Sequence, residues 1–309
     1  MIAINHDPSV HDEARRHTAY TGDLFVDSPT AQSAAFCEFA REMIGDAFAG
    51  RDPETAQYDV DVSTYVDILA ELKPRFIHHE RSRMFVRAML DERGCDLDRT
   101  YLDVPRLRSS TSDGYLTTGI ALAWHPHRDT WYSAPQTQLN LWMPVYDLSS
   151  GNAMAFHLDY FDRGVPNSSD TYNYYEWNQK YRRSAASQVG GDTRPLPGPT
   201  VDIDLTNSLV PVAPVGAVTT FSGHHLHSSV PNTTGCTRFS IDFRTVNLDD
   251  IEGGLGAPNV DAHCTGSSIR DFIRASDFAP MPDEIVRRFD DGSEADGELL
   301  YSENVADRA

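Results

Sequence analysis

The stretch Trp124-His125-Pro126-His127-Arg128-Asp129-Thr130 contains a His-x-Asp pattern, in which two side chains with metal-binding atoms stand two residues apart. Residues i and i+2 of an extended strand point to the same side, so His127 and Asp129 both face inward if the stretch lies at a strand end. A third candidate, His227, lies about a hundred residues further on. Two imidazoles and one carboxylate can occupy one face of an octahedral Fe(II) ion and leave the opposite face open. The sequence therefore predicts a metal site built from two distant segments.

Other histidines compete for the same role. A His-x-Asp pair alone fits a second interpretation equally well, in which a histidine at a strand end is hydrogen-bonded to the neighbouring carboxylate and binds no metal. In the downstream block Gly223-His224-His225-Leu226-His227, His225 is the main alternative to His227. We favour His227 because Pro231-Asn232 follows it closely and Arg238 stands eleven residues after it.

The chain around these two blocks has a β-like pattern. From Thr100 onwards, short apolar runs are separated by Gly, Pro, Asn and Ser, which is typical of an all-β barrel or sandwich. The predicted strands cover residues 116–124, 136–145, 153–158, 201–205, 209–212, 217–221 and 237–246. The first 99 residues have a helical pattern instead, with helices expected at 30–48, 62–72 and 81–93. The second helix is expected to stop before Pro74, because proline has no amide hydrogen.

We expect one structural domain in three parts. Residues 1–99 form a helical part that packs on the barrel, residues 100–246 form the β core, and residues 247–309 form an acidic C-terminal extension with a helix near 281–289. Within the core, residues 159–199 are a polar, aromatic-rich insertion. A loop of this length is often a lid over a site, although a solvated insertion whose aromatics pack on the barrel fits the same composition.

Composition and charge exclude several classes of protein. The formal net charge of −20 disfavours a nucleic-acid partner and an anionic membrane surface, since both need a basic footprint. Such acidity is most simply explained by solubility. The negative electrostatic potential that it produces would also suit a cationic or zwitterionic substrate. The four cysteines form no CxxC pair, which favours a reducing compartment. No apolar run approaches the ~20 residues of a membrane span and no signal-peptide pattern is visible, so we expect a cytoplasmic protein; its oligomeric state is not readable.

Taken as a set, the motifs carry a family resemblance. His127-x-Asp129, the distal His227 with Pro231-Asn232, and Arg238-x-Ser240 resemble the Fe(II)/2-oxoglutarate-dependent dioxygenases, most closely the phytanoyl-CoA dioxygenase-like branch, over residues 100–246. The resemblance implies a mainly β fold with flanking helices around a double-stranded β-helix, which is a jelly-roll or cupin-like core. It implies that His127, Asp129 and His227 bind Fe(II), with 2-oxoglutarate and O2 as cosubstrates.

The same resemblance assigns further residues to 2-oxoglutarate. Arg238 pairs with its C5 carboxylate, since a planar guanidinium can bind a carboxylate through two hydrogen bonds and keeps its charge. Ser240 adds a hydroxyl donor from the same strand face. Gln138 and Asn140 share a face of the strand before the insertion. The resemblance implies that one of them contacts 2-oxoglutarate, and Asn140 is favoured over Gln138; a buried amide that satisfies backbone groups is the open alternative. Arg244 lies roughly 20 Å along the strand from Arg238 and is interpreted as a structural ion pair.

The expected activity is oxidation of a small molecule with release of succinate and CO2. Related halogenases have Gly or Ala in place of this carboxylate, so with Asp129 present the resemblance implies hydroxylation, or else desaturation or cyclisation. We expect the substrate to be a secondary metabolite in a biosynthetic pathway. Candidate pocket residues are Trp131, Tyr132, Tyr174 and Trp177. Two alternatives stay open: a substrate tethered to a carrier as an acyl or amino-acid group, and a non-catalytic cupin-like metal-binding protein, against which Arg238 argues.

Overall fold

Two antiparallel layers of strands enclose the centre of the protein in the computed structural model, which describes residues 2–7 and 9–293. The strands are β1 (Ile4–Asn5), β2 (Leu24–Asp27), β3 (Thr100–Leu102), β4 (Arg106–Ser110), β5 (Leu139–Pro144), β6 (Met154–Phe156), β7 (Val218–Ser222), β8 (His227–Ser229), β9 (Arg238–Asn247) and β10 (Ile273–Arg274). The α-helices are α1 (Asp12–Ala19), α2 (Ala31–Ala47), α3 (Val62–His78), α4 (Glu80–Glu92), α5 (Tyr174–Lys180), α6 (Leu248–Glu252) and α7 (Asp283–Val286).

The larger layer is centred on four antiparallel strands in the order β4, β9, β5, β7. Strand β2 extends it beyond β7, β1 pairs with β2 in parallel, and β3 and β10 extend it beyond β9. Along β9 the side chains alternate between the two faces of the sheet. Phe239, Ile241 and Phe243 are fully buried against the helices, which leaves the even-numbered residues of β9 to the opposite face.

The smaller layer is built from short strands and single bridges. Strands β6 and β8 pair, His127 bridges to His227 at the outer side of β8, and Phe156 bridges to Leu209 at the outer side of β6. From β4 onwards the chain visits the two layers in turn, except that β6 and the Leu209 segment follow each other in the smaller one. This order is that of a jelly-roll, so the predicted double-stranded β-helix with flanking helices is confirmed.

Helices α2, α3 and α4 cover the outer face of the larger layer. Helix α2 begins after Thr30, whose hydroxyl accepts from the amide of Ser33 while the Ser33 hydroxyl accepts from the amide of Thr30; this reciprocal pair caps the helix start. The prediction that the second helix stops before Pro74 is wrong, because α3 continues to His78. Burial of Phe76 in the helix–sheet core accounts for this continuation, because packing offsets the one hydrogen bond that proline removes.

Four further predictions about regular structure differ from what the structure shows. Residues 116–124 are not a strand but contain a 3-10 helix at Gly119–Ala121, and residues 201–205 form no strand. Of residues 209–212, only Leu209 pairs, through a single bridge. Residues 1–99 are not purely helical either, because β1 and β2 add to the edge of the larger layer.

The C-terminal part belongs to the same packed body over its described residues. Strand β10 pairs with β3, and the helix predicted near residues 281–289 is realised as α7 and a 3-10 helix at Arg287–Phe289. Residues 294–309 of the predicted extension lie outside the described residues. No helix within 2–7 and 9–293 is long and apolar enough to span a membrane.

The insertion at 159–199 is held against the rest of the protein around Gly119. It contains α5 and a 3-10 helix at Arg182–Ser187. The Thr118 hydroxyl donates to the Gln188 carbonyl (2.6 Å), and the Gly119 amide donates to the Asp192 carboxylate (3.1 Å). Gly119 has a φ of +62°, and a Cβ there would overlap the Ala185 carbonyl oxygen and lie 2.7 Å from that of Gln188. Only glycine fits this contact.

We therefore expect Gly119→Ala to loosen the insertion and to lower the free energy of unfolding by about 2 kcal/mol, through backbone strain and the overlap. The matched control is Gly45→Ala in α2, where a Cβ would meet nothing within 4 Å. That change should stabilise the protein by about 0.5–1 kcal/mol, because alanine favours the helix. Thermal unfolding and limited proteolysis near residues 182–188 measure both effects; equal protease resistance of the two variants would contradict the contact.

Candidate metal centre and its cavity

His127, Asp129 and His227 come together as the sequence predicts. One potential ligand atom from each lies within 4.8 Å of the other two, and all three residues are buried. Their backbones explain this, because His127 and His227 exchange both amide–carbonyl hydrogen bonds across the smaller layer, at 3.0 and 2.9 Å. Asp129 begins a 3-10 helix directly after the bridge. Two strand segments a hundred residues apart thus deliver the three side chains to one point.

Each histidine of the triad is fixed with one ring nitrogen free. The Nδ1–H of His127 donates to the His125 carbonyl, and the Nδ1–H of His227 donates to the His225 carbonyl, both at 2.9 Å. These bonds place the lone pair on Nε2 in both rings. Burial, and then the neighbouring His127, lower the pKa of His227 to about 3, so this ring is neutral at physiological pH. Neutral imidazole is the form that binds a metal.

Asp129 presents its two carboxylate oxygens differently. Oδ2 accepts from the Gln138 amide (2.9 Å) and from Arg244 Nε (3.4 Å), whereas Oδ1 lies 3.6 Å from His127 Nε2. Burial by itself would raise the pKa of Asp129, but Arg244 and the two histidines hold it well below its ordinary range. The carboxylate is therefore charged, with Oδ1 on the side of the histidine nitrogens.

The competing histidines have their ring nitrogens engaged elsewhere. His225 contacts the Gly22 carbonyl through Nε2 (2.9 Å) and the Ser222 carbonyl through Nδ1 (3.2 Å). His224 contacts the Phe161 carbonyl (2.9 Å), and His125 contacts that of Pro197 (3.1 Å). None of these three belongs to the ligand cluster found among the described residues. The choice of His227 over His225 agrees with this geometry.

Arg128, between the two ligands, points away from them. Its side chain is fully buried and pairs with Asp261, with Nε 3.1 Å from Oδ2, and its guanidinium also donates to the carbonyls of His224 and Tyr160. Asp261 accepts in addition from the indole N–H of Trp131 (2.8 Å). Trp131, predicted to line the substrate pocket, lies in this buried cluster and not on the cavity.

A cavity of about 970 Å³ extends from the triad between the two layers and under the insertion. Of the predicted site residues, it is lined by His127, Asp129, His227, Arg238, Asn140, Gln138, Tyr132, Tyr174 and Trp177. It is large enough for a cosubstrate and a second small molecule, since ligand pockets usually measure about 300–1,000 Å³.

Arg238 lies on the cavity wall with no carboxylate within 4.0 Å among the described residues. Its Nη1 donates to the carbonyls of Asn152 (3.0 Å) and Ala153 (3.3 Å), and its Nε is buried without a partner. Burial lowers the pKa of Arg238 to about 10, which leaves the guanidinium charged at neutral pH. Ser240, two residues on, is fully buried and its hydroxyl is also without a partner in the described part of the chain, although it does not line the cavity.

Gln138 and Asn140 lie beside the metal carboxylate. The Gln138 amide donates both to Asp129 and to the Asn140 side-chain carbonyl, the latter at 3.0 Å. Asn140 is opposite Arg244 in the register of β5 and β9. The network continues from Arg244 to Asp103, with 3.2 Å between Nη1 and Oδ2, and from Asp103 to Arg106 at 2.6 Å.

Arg244 was expected from its position in the sequence to lie too far from Arg238 to belong to the same site. It forms the expected ion pair, yet one of its partners is the ligand Asp129, and it lines the same cavity as Arg238. The parity along β9 was the available signal. The sequence did not show that one cavity is long enough to be lined by both ends of β9.

Lys73 is a second cation that the sequence gave no reason to select. It comes from α3, lines the cavity, and its ammonium group donates to the Ser109 hydroxyl (3.0 Å) and the Ile120 carbonyl. Burial and then the charge of Arg108 lower the pKa of Lys73 to about 7. Arg238 is opposite Ser110 in the register of β4 and β9, and Lys73 contacts the neighbouring Ser109. The charges of Arg108 and Asp242 act on the pKa of both cations, which therefore belong to one end of the cavity.

The aromatic candidates form a wall beside the triad. The Tyr132 ring is edge-on to His127, with 5.6 Å between centroids, and Trp124 stacks on the same imidazole at 4.6 Å. From the insertion, Tyr174 donates to Asp271, and the Trp177 indole N–H is buried without a partner in the described residues. Burial raises the pKa of Tyr132 well above its ordinary value, so its phenol stays protonated.

Comparison with known proteins gives similarity only at the level of solved structures. No protein-family model matches the sequence, and no curated protein matches it. The chain is similar to the apo form of a non-heme monooxygenase, ThoJ, at 14% identity over 89% of this chain and 85% of that one, with a TM-score of 0.41. The epimerase SnoN, in complex with Fe3+, alpha-ketoglutarate and nogalamycin RO, is 15% identical over 81% and 96%, with a TM-score of 0.39.

A third solved structure is that of EvdO2 from Micromonospora carbonacea var. aurantiaca, complexed with 2-oxoglutarate. It is 15% identical over 54% of this chain and 58% of that chain, with a TM-score of 0.33. Similarities at this level leave the function to be inferred from the side chains of the protein itself.

Proposed function

We propose that this protein is a non-haem Fe(II)- and 2-oxoglutarate-dependent oxygenase of the phytanoyl-CoA dioxygenase-like branch. It hydroxylates a small molecule, with release of succinate and CO2. The observation that carries the proposal is the triad of His127, Asp129 and His227, in which both Nε2 atoms and Oδ1 converge while every other polar atom of the three side chains is held by the protein. Two neutral imidazoles and one carboxylate are the donor set that suits Fe(II) in oxygenases.

The second support is the placement of the cations for 2-oxoglutarate. A metal ion bound by the triad alone would need no arginine nearby. A dicarboxylate bound to that metal through one end needs a cationic partner for its other carboxylate. Among the described residues, Arg238 has no carboxylate within 4.0 Å and its buried Nε has no partner, so the C5 carboxylate fits it well. Lys73 lies at the same end with a pKa of about 7, and an anion bound there would favour its protonated form. The hydroxyl of Ser240 is buried behind this wall and does not line the cavity, so its predicted contact with 2-oxoglutarate is not part of the proposal.

The chain's own residues then have distinct tasks. Bound Fe(II) and 2-oxoglutarate together supply the O2-dependent oxidising power that removes hydrogen from a substrate C–H bond. Gln138 and Arg244 reserve Oδ2 of Asp129, so that the carboxylate offers one oxygen to the metal. Asn140, beside them, is the favoured amide contact for 2-oxoglutarate. Tyr132, Tyr174 and Trp177 wall the space in which the substrate lies and exclude water from it.

A direct assay decides between this enzyme and a metal-binding protein without catalysis. We expect the protein, reconstituted anaerobically with Fe(II) and then given 2-oxoglutarate and O2, to form succinate slowly alone and faster with a substrate. Candidate secondary metabolites are screened for faster succinate release and for a mass change of +16 on the product. Failure to form succinate above the level of free Fe(II), in protein that binds the metal, would contradict the proposal.

The ligand assignment makes its own prediction. His127→Ala and His227→Ala should each lower Fe(II) or Ni(II) affinity by about 100-fold or more and abolish succinate formation, because only two ligands remain. The control is His263→Ala, whose side chain is exposed and lies outside the triad. Isothermal titration of the metal measures the change. Retention of wild-type affinity by His227→Ala would show that a different residue is the third ligand.

Arg238 should determine the choice of cosubstrate. Wild-type protein is expected to prefer 2-oxoglutarate strongly over 2-oxobutyrate, which lacks the C5 carboxylate. Arg238→Met should raise the KM for 2-oxoglutarate by about 100-fold, as loss of a buried charge pair does, and leave little preference between the two oxoacids. Arg75→Met, which removes an exposed arginine of α3 paired with Glu71, is the control. A variant at Arg238 that keeps the full preference would contradict the assignment.

Arg244 is expected to act through Asp129. Arg244→Met should lower metal affinity by about tenfold, as loss of a partner of a metal ligand usually does, and shift the visible absorption of the Co(II)-substituted protein. Arg106→Met is the matched control, because Arg106 shares Asp103 with Arg244 but does not contact Asp129. Equal effects of the two variants on the Co(II) spectrum would assign the network a structural role only.

A further inference from the structure

The charge of the cavity is opposite in sign to that of the protein. The chain has 26 Lys and Arg against 46 Asp and Glu. Among the described residues that line the cavity, eight are Lys or Arg and four are Asp, and none is Glu. The basic residues are Lys73, Arg106, Arg108, Arg182, Arg183, Arg194, Arg238 and Arg244, and the acidic ones are Asp103, Asp129, Asp242 and Asp271.

Four of these eight cations have a carboxylate partner among the described residues. Arg106 and Arg244 share Asp103, and Arg244 also contacts Asp129. The Arg108 guanidinium binds Asp242 through two nitrogens, at 2.6 and 3.3 Å. Arg194 pairs with Asp192 at 2.6 Å. Arg183 is exposed and is set aside.

Three lining cations, Lys73, Arg182 and Arg238, have no carboxylate within 4.0 Å among the described residues. Lys73 and Arg238 belong to the end assigned above to 2-oxoglutarate.

Arg182 lies elsewhere, on the 3-10 helix of the insertion, and its Nη1 donates to the neutral side chain of Asn178 (2.8 Å). Burial and then the charge of Arg182 lower the pKa of His78 at the end of α3. The carboxyl nearest in effect is Asp271, which accepts from Tyr174 and makes no ion pair with Arg182 within 4.0 Å among the described residues; burial raises its pKa, and Arg182 acts against that rise.

The surroundings of Arg182 are those of a binding surface for an organic molecule. Tyr174, Trp177 and Asn178 come from the adjacent α5 and line the same cavity. The Trp177 indole N–H, buried and without a partner in the described residues, is an additional neutral donor on this segment. Aromatic faces bind an apolar body, and a guanidinium with an N–H donor beside it favours an anionic oxygen group.

We propose that the substrate is an organic anion, with a carboxylate or phosphate group on an apolar or aromatic body, and that Arg182 of the insertion binds the anionic group. The inference rests on the proposed function, because it names the substrate class for the same cavity. A bound Fe(II) dication and a 2-oxoglutarate dianion cancel in charge, so they leave the charge of Arg182 to be met by the substrate. The expectation of a cationic or zwitterionic substrate, drawn from the net charge, is replaced by its opposite.

Four naphthalene compounds test the sign of the charge. They are 2-naphthoate, 2-naphthyl phosphate, methyl 2-naphthoate and 2-naphthylmethylamine, titrated calorimetrically into metal-free protein and into protein holding Ni(II) and saturating 2-oxoglutarate. We expect one or both anions to bind about tenfold more tightly than the ester and the amine in both states. Whichever anion binds better identifies the preferred group. Equal affinity for acid and ester, or loss of anion binding at saturating 2-oxoglutarate, would overturn the proposal.

Variants of the insertion locate the effect. Arg182→Met should weaken anion binding by about fivefold or more while ester binding is unchanged, and Arg182→Lys should restore most of the loss. The control is Lys180→Met, which removes an exposed lysine paired with Glu176, two residues away and off the cavity. Unchanged anion binding in Arg182→Met would overturn the assignment. Anion binding that depends on Arg182 in protein that forms no succinate would leave this inference standing and remove the oxygenase proposal.

Discussion

Two backbone hydrogen bonds between His127 and His227 are the constraint on which the site depends. They lie across the smaller layer of the jelly-roll, and they fix the Cα positions of both ligands whatever the side chains do. The imidazole rings consequently lie with their centroids 4.3 Å apart, and the following turn brings Asp129 alongside. Because each ring is also tied through Nδ1, its Nε2 is the nitrogen left for a metal. The fold thus organises the donor atoms in advance.

The sequence was informative wherever function depends on strand periodicity. The i and i+2 rule brought His127 and Asp129 to one face, and the distal His227 and Arg238 were found from their spacing. It was uninformative where tertiary packing decides. Nothing in α3 distinguished Lys73 from any other helical lysine, and its burial follows from how the helix lies against β4. Residues 116–124 looked like a strand because of their apolar pattern, but Gly119 takes a left-handed conformation to fit under the insertion.

Net charge was a poor guide to the cavity for a physical reason. A formal sum counts every residue equally, while most acidic side chains of a soluble protein lie on its surface, where water screens them. Within a partly buried cavity the interaction between two charges extends over a longer distance. The charge that a ligand meets there depends on which lining groups are already neutralised by partners. The arrangement here keeps Asp103, Asp129 and Asp242 occupied with neighbouring arginines. What remains available to a ligand is positive.

The buried pair of Arg128 and Asp261 affects how the protein can be divided. Residues 100–246 contain β3 to β8, nearly all of β9 and every proposed metal ligand, so a fragment with these limits would be the obvious minimal unit to express. Such a fragment would lack Asp261 and leave a fully buried guanidinium between the two ligands without its counter-charge. It would also expose the indole N–H of Trp131. The segment that carries His127 and Asp129 is therefore completed by a residue from beyond the barrel, and we expect the smallest folded piece that keeps the triad intact to include Asp261.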